Sequence, residues 1–200
     1  MSFKMLFSNK SIVILFFTAV LFCNQITAQE KRFAMKGITE ISGSVAYSSF
    51  TPVSNGTSGD ATSIFALTPQ IGYFIQDGLE IGLSTGISFL PGVTVVSPQK
   101  GDNVTILGLF FTPSYNFLVE SKSIYPFIEG QFGYTSLSSG SSTSSGFSYG
   151  GKGGIKMIVV EHFLLNISAQ YTAITFDPKG ATKRSGFNYL SFSVGVGAYL

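Results

Sequence analysis

Tryptophan is absent, histidine and cysteine occur once each, and charged residues make up only 11% of the 200-residue chain. Each scarcity closes off a class of function. A lone Cys23 and a lone His162 cannot assemble the nitrogen and sulfur ligands of a zinc site, so no metal or other cofactor is expected. An ordinary soluble domain is roughly 25% charged, more than twice the proportion found here. Of the 12 basic residues, Lys4 and Lys10 lie in the N-terminal segment; without them ten bases face ten acids. That balance offers no basic field for nucleic acid. Beyond Phe22 no apolar run approaches the roughly 20 residues of a spanning helix, so a membrane reading of the chain requires strands.

The N-terminus has its own signature. Lys4 and Lys10 precede an apolar run from Ile12 to Phe22, with the length of a signal-peptide core, and Ala28 offers a small residue for cleavage. Residues 1–28 are therefore expected to be a removed signal peptide and 29–200 a single domain. Cys23 falls inside the removed segment. Phe22 stands where a lipoprotein acylation site needs a small residue, so Cys23 is not expected to carry lipid.

What the mature segment has in abundance is alternation. In the terminal run, Leu190, Phe192, Val194, Val196 and Ala198 share one face, while Tyr189, Ser191, Ser193, Gly195, Gly197 and Tyr199 share the other. A side-chain period of two sends one face into apolar surroundings and keeps small polar groups on the opposite side. The pattern recurs in stretches beginning near Gly37, Ile64, Leu79, Leu107, Ile128, Phe147 and Phe163, which makes eight strands. Short connections at Asp77-Gly78, Glu120 to Ser123 and Glu161-His162 alternate with polar ones at Thr51 to Thr62, Pro91 to Asn103, Ser138 to Gly146 and Asp177 to Gly186. An even number of strands with short turns at one end and long loops at the other is the layout of an eight-stranded antiparallel up-and-down transmembrane β-barrel, all-β in class. The long loops, centred near Gly56, Gln99, Ser142 and Gly180, are expected outside the cell. A soluble eight-stranded barrel would point its large apolar residues inward. Here glycine and serine share a face with the few charges, which suits a narrow polar lumen.

Thr68-Pro69-Gln70-Ile71-Gly72-Tyr73 recurs as Thr112-Pro113-Ser114-Tyr115-Asn116-Phe117, one up-and-down hairpin apart. Both prolines lack the N–H that a closed ladder needs. The first copy, running into Leu79-Glu80-Ile81-Gly82-Leu83, together with Tyr125-Pro126-Phe127-Ile128-Glu129-Gly130, resembles the small outer-membrane β-barrel proteins of the OmpX-like and OmpA-barrel-like, porin-like kind. The resemblance spans essentially the whole mature chain. It implies the outer membrane of a Gram-negative cell, contact with outer-membrane lipids and lipopolysaccharide, insertion by the barrel-assembly machinery, and a monomer.

Chemistry is sparse. His162 falls in a short turn, away from the outer leaflet where lipid-modifying barrel enzymes hold a nucleophile and base together. Gly146 followed by Gly151-Lys152 lacks the Ser or Thr and the helix of a phosphate loop. Lys179, Lys183 and Arg184 form a modest basic cluster, suited to a solvated or lipopolysaccharide-contacting rim. By parity Glu40, Glu80, Glu129, Lys152 and Lys156 all face the lumen, with Glu129 near Lys152 if their strands pair. Eight strands enclose an interior just wide enough for side chains to fill, so these charges are expected to pair and plug it. The expected role is non-enzymatic: a structural or surface-interaction protein of the envelope. The alternative is a narrow pore or an OmpW-like channel for small hydrophobic solutes.

Overall fold

The computed structural model describes residues 32–90, 104–120, 123–139, 142–176 and 185–200. The N-terminal segment expected to be a signal peptide, with Cys23, the residues 91–103 and the cluster Lys179, Lys183 and Arg184 lie outside the described residues. Arg32–Tyr199 form one compact unit. Its elements are β1 (Thr39–Ser54), β2 (Thr57–Ser58), β3 (Thr62–Gln76), β4 (Leu79–Leu90), β5 (Val104–Phe111), β6 (Ser114–Asn116), β7 (Ile124–Ser139), β8 (Ser142–Val160), β9 (Phe163–Phe176) and β10 (Ser185–Tyr199). No helix occurs among the described residues. Each long strand pairs antiparallel with its sequence neighbours, and β1 pairs with β10 from Glu40↔Tyr199 to Val53↔Gly186, which closes the sheet. β5 and β6 are one stave, and β2 is a short ribbon on β1, so the barrel has eight staves.

The two repeated prolines explain two interruptions in the ladder. At Pro113 the stave breaks into β5 and β6 without slipping: Phe111 opposes Phe132 before the break and Ser114 opposes Glu129 after it. Thr112 still exchanges backbone bonds with Gly82, and the Pro113 carbonyl accepts one from the Gly130 N–H at 2.8 Å. Pro69 opposes Gly43 in β1, while the β3–β4 ladder has no pair between Leu67↔Ile87 and Gln70↔Ser84. Each proline interrupts the ladder over a residue or two and leaves the register intact, as a missing donor should.

The turns divide by chemistry. The stretch Thr51 to Thr62 is not a simple loop: β1 continues to Ser54, turns at Asn55-Gly56 and returns as β2. Asn55 and Gly56 both have positive φ, 48° and 81°, the requirement of a tight type I′ hairpin that Asn-Gly meets best. At the opposite end of the staves, in the Asp77-Gly78 turn, only Gly78 has positive φ, and the ladder slips between Phe74 and Gln76. The Glu161-His162 turn has the same form, with His162 at φ 66° and a slip between Ile158 and Val160. The serine-rich stretch 138–146 is likewise mostly strand, with Ser136↔Ser145 and Ser138↔Thr143 paired, because ladder bonds need no apolar side chains.

Alternation sets the two surfaces. Val45, Phe65, Leu83, Leu109, Tyr134, Phe192 and Val196 point out and are more than half exposed. Glu40, Glu80, Glu129 and Lys156 point in and are buried. The lumen is nevertheless polar only along part of its length, which narrows the expectation of a polar lumen. Near the Asp77-Gly78 and Glu161-His162 turns it is closed by Phe33, Ala34, Ile38, Phe74, Tyr125, Leu164 and Tyr199. Toward the other end it holds Phe50, Ile64, Ile106, Leu137, Ile174 and Phe187, with Phe176 and Tyr189 packed against them. These positions continue the inward parity of their staves; what changes toward the strand ends is residue type.

Candidate functional site in the lumen

Two ion-paired groups cross the barrel above the turn end. Lys156 of β8 places its Nζ 2.6 Å from Oε2 of Glu40 in β1 and 3.0 Å from Oε2 of Glu80 in β4, tying three staves together across the lumen. Ser114 Oγ and Asn116 Nδ2, both from β6, donate to the same Glu80 oxygen at 2.9 and 3.3 Å. Gly72 makes this possible, since a Cβ there would collide with the Glu80 carboxylate. The ammonium of Lys156 also lies 5.4 and 5.2 Å from the ring centres of Phe33 and Phe127. A cation desolvated in this way gains from the negative faces of both rings.

The second group lies one turn of side chains away. Glu129 of β7 opposes Lys152 of β8 in the ladder, and their charged atoms are 2.9 Å apart. Gln131 Nε2 donates to Glu129 Oε1 at 3.0 Å and Gln70 Nε2 to Oε2 at 2.9 Å, while Lys152 Nζ donates to Gln70 Oε1 at 3.0 Å. Thr172 Oγ1 extends the chain by donating to Gln131 Oε1 at 3.2 Å. Charges buried in a narrow interior are tolerable only when paired and hydrogen-bonded, and both ammonium groups meet that condition.

The five residues singled out by parity therefore fall into two sets, Glu40–Lys156–Glu80 and Glu129–Lys152. Parity alone did not single out the partners: Gln70, Gln131, Ser114, Asn116 and Thr172 carry the same signal and differ only in lacking charge. Phe33 precedes every strand and carries no periodic signal. It nevertheless seals the mouth, meeting Phe74 and Tyr125 edge-on at 5.4 and 5.0 Å between ring centres. Backbone bonds hold its segment: Gly37 N–H donates to the Phe74 carbonyl, Phe74 N–H to Ile38, and Gly78 N–H to Ala34.

His162 stands apart from all of this. Its backbone turns the chain in the left-handed region, its Nδ1 lies 3.1 Å from the Tyr199 carbonyl oxygen, and the Tyr199 N–H donates to its own carbonyl at 3.0 Å. Among the described residues no group of three His, Cys, Asp or Glu side chains is placed to hold a metal. The lumen offers paired charges, amides and hydroxyls, a set that can brace, exclude ions or bind small polar groups.

A closed antiparallel barrel of eight staves, apolar outside and ion-paired within, is the fold of the small outer-membrane β-barrel proteins. Among solved structures it is similar to Neisserial surface protein A, with a TM-score of 0.63 and 18% identity over 82% of this chain and 99% of that one. It is also similar to the outer membrane protein OprG from Pseudomonas aeruginosa, with a TM-score of 0.53 and 15% identity over 84% and 98%. The outer membrane protein AlkL, solved in lipid bilayers, gives a TM-score of 0.55 and 12% identity over 88% and 96%. No protein-family model and no curated protein sequence matches the chain.

Proposed function

We propose that this chain is a non-enzymatic, monomeric integral protein of a Gram-negative outer membrane, exported by a signal peptide removed after about residue 28, whose closed barrel displays its loop end to the outside. The observation that carries the reading is the crossing of the lumen by Lys156, Glu40 and Glu80 beneath the Phe33 seal, an arrangement that favours a plugged barrel over a conducting one. A membrane strand needs only about 9 to 11 residues. The 16 residues of β7 and 19 of β8 exceed that, so their serine-rich ends rise beyond the bilayer as a paired ribbon suited to surface contacts. The outward apolar belt faces lipid, and the loop rim faces lipopolysaccharide.

Planar-bilayer recording of the refolded protein is the test. A silent barrel is expected. Steady ion conductance would replace the closed-barrel reading with a narrow pore, and saturable uptake of small hydrophobic solutes into proteoliposomes would replace it with an OmpW-like channel. Cysteines placed at Gly56 and Ser142 should react with an impermeant thiol reagent on intact cells; labelling at Asp77 instead would reverse the orientation.

A further inference from the structure

The two ion-paired sets do not balance. Glu40, Glu80 and Glu129 bring three carboxylates into the lumen against the two ammonium groups of Lys152 and Lys156, and all five side chains are buried or nearly so. Glu129 and Lys152 match one to one, so the surplus falls on the layer in which Glu40 and Glu80 share Lys156. No other described charge reaches it: Arg32, Lys36, Asp60, Asp77, Glu120 and Glu161 are all exposed, as is His162. The elements packed around Glu40 add only neutral groups. β10 contributes Tyr199 and β3 Gly72, both opposite Glu40 in the ladder, while β7 contributes Tyr125, β6 Ser114 and Asn116, β9 Asn166, and the mouth segment the ring of Phe33. A buried charge without a counter-charge is expensive, and a carboxylate so placed is neutralised by a proton rather than left bare.

Hydrogen bonding shows the same deficit. Glu80 Oε1, Asn116 Oδ1 and Asn166 Oδ1 are enclosed oxygens that meet no donor among the described residues. A carboxylate or amide oxygen accepts and cannot donate, so what the layer lacks is hydrogen. The two carboxyls differ in their supply of it. Glu80 Oε2 accepts from Lys156, Ser114 and Asn116, and a carboxylate with that many donors stays ionised. Glu40 has only Lys156 and the Ser42 side chain. It also borders, with Asn166, an enclosed space of about 20 Å3, where an O–H on Glu40 has an acceptor in Asn166 Oδ1.

We propose that the Glu40–Lys156–Glu80 layer is a proton-binding site: at neutral pH the two carboxyls hold one proton between them, foremost on Glu40, and with Lys156 form a layer of zero net charge beneath the Phe33 seal. The proposal rests on the closed-barrel reading, since water and salt in an open lumen would screen the surplus charge. Above the roughly 4.3 at which a free glutamate ionises, the folded chain then holds one proton that the unfolded chain has lost. The site therefore stabilises the fold less as pH rises, by about tenfold in the folding constant per pH unit, until the folded pair itself ionises. In the refolded full chain in lipid nanodiscs, infrared spectra at neutral pH should show the C=O stretch of a protonated carboxyl, shifted in heavy water. Glu40→Gln and Glu80→Gln should each abolish it, because either leaves one carboxylate for one ammonium. Refolding from urea in weak buffer should take up about one proton per chain, and Glu40→Gln about one fewer. A silent barrel without the band would overturn the bound proton alone. So would a band that survives either substitution, or a stability that rises with sodium and ignores pH, which would make a metal cation the compensating charge. If the variants do not fold, proton uptake by the parent decides the matter, and none would sink the proposal. Steady ion conductance of the parent would sink the closed-barrel reading and the proton site with it.

Discussion

The two halves of the lumen obey one parity rule and hold themselves together by opposite means. Above the turn end the inward positions are charged, and their stability depends on partners across the barrel: Lys156 reaches β1 and β4, and Lys152 reaches β7 and β3. Toward the loop end the inward positions are Phe50, Ile64, Ile106, Leu137, Ile174 and Phe187, packed as in a water-soluble core. A charged layer tolerates almost no single loss, because removing one partner strands the other in a medium of low dielectric. An apolar layer degrades by increments, in proportion to the contacts and volume removed. The contrast predicts that the charged half is fragile to single substitutions and forgiving of paired ones, whereas the apolar half shows the reverse.

The sharpest way to break the comparison is Lys156→Met. It leaves Glu40 and Glu80 facing each other without their shared cation, and single losses of this kind cost about 3 to 5 kcal/mol when burial is complete. Reversible urea unfolding in bilayers should register the full penalty, and Glu40→Gln with Glu80→Gln added to Lys156→Met should restore most of it. If the single variant unfolds like the parent, water screens this layer and the charged half is not a sealed interior. Phe50→Ala tests the other half. It removes one ring of the stacked pair with Phe187, at a cost of about 3 kcal/mol, and Phe187→Ala added to it should deepen the loss rather than relieve it.

A smaller effect distinguishes the two charged sets. Lys152 keeps 12% of its side chain exposed against 3% for Lys156, and Gln70 remains to hold Glu129 if Lys152 is lost. A double-mutant cycle with Lys152→Met and Glu129→Gln should therefore give a coupling of about 1 to 2 kcal/mol, below that of the Lys156 set. Equal couplings would mean that the glutamines contribute nothing.

Much of this was legible in the chain and some was not, for reasons that differ by residue. The inward facing of Glu129 and Lys152 follows from a period of two, and strand number and closure class follow from that period together with the alternation of short and long connections. The apolar layer obeys the same parity: Phe50, Ile64 and Ile174 lie an even number of residues from Glu40, Gln70 and Thr172. It was hidden because the pattern inverts toward the loop end: Phe50 lies between Ser49 and Thr51 and Leu137 between Ser136 and Ser138, so apolar residues fall on the face that is polar lower in the stave. Asn55-Gly56 carried a hairpin signal of the same kind as Asp77-Gly78, yet a surrounding run of polar residues read as loop. Phe33 was not legible at all. It packs through a non-repeating segment, and only the closed mouth of the barrel supplies the site it fills.

The smallest predicted effect concerns the turn end, where Gly78 and His162 occupy equivalent places in two bulged hairpins, at φ 77° and 66°. Left-handed backbone costs a residue with a side chain roughly 1 to 2 kcal/mol, and glycine does not pay it. His162 recovers part of that cost through the contact of its Nδ1 with the Tyr199 carbonyl and its ring packed 5.2 Å from that of Tyr199. His162→Gly should therefore relieve backbone strain while surrendering the ring contact, a net gain in stability of no more than about 1 kcal/mol. Gly78→Ala should instead destabilise: its Cβ would fall 2.7 Å from the Asn116 carbonyl oxygen, with no side-chain bond in return. The urea midpoints of the two variants should thus move in opposite directions. A large loss in His162→Gly would assign the imidazole contact, rather than the backbone angle, the main part in closing the β8–β9 hairpin.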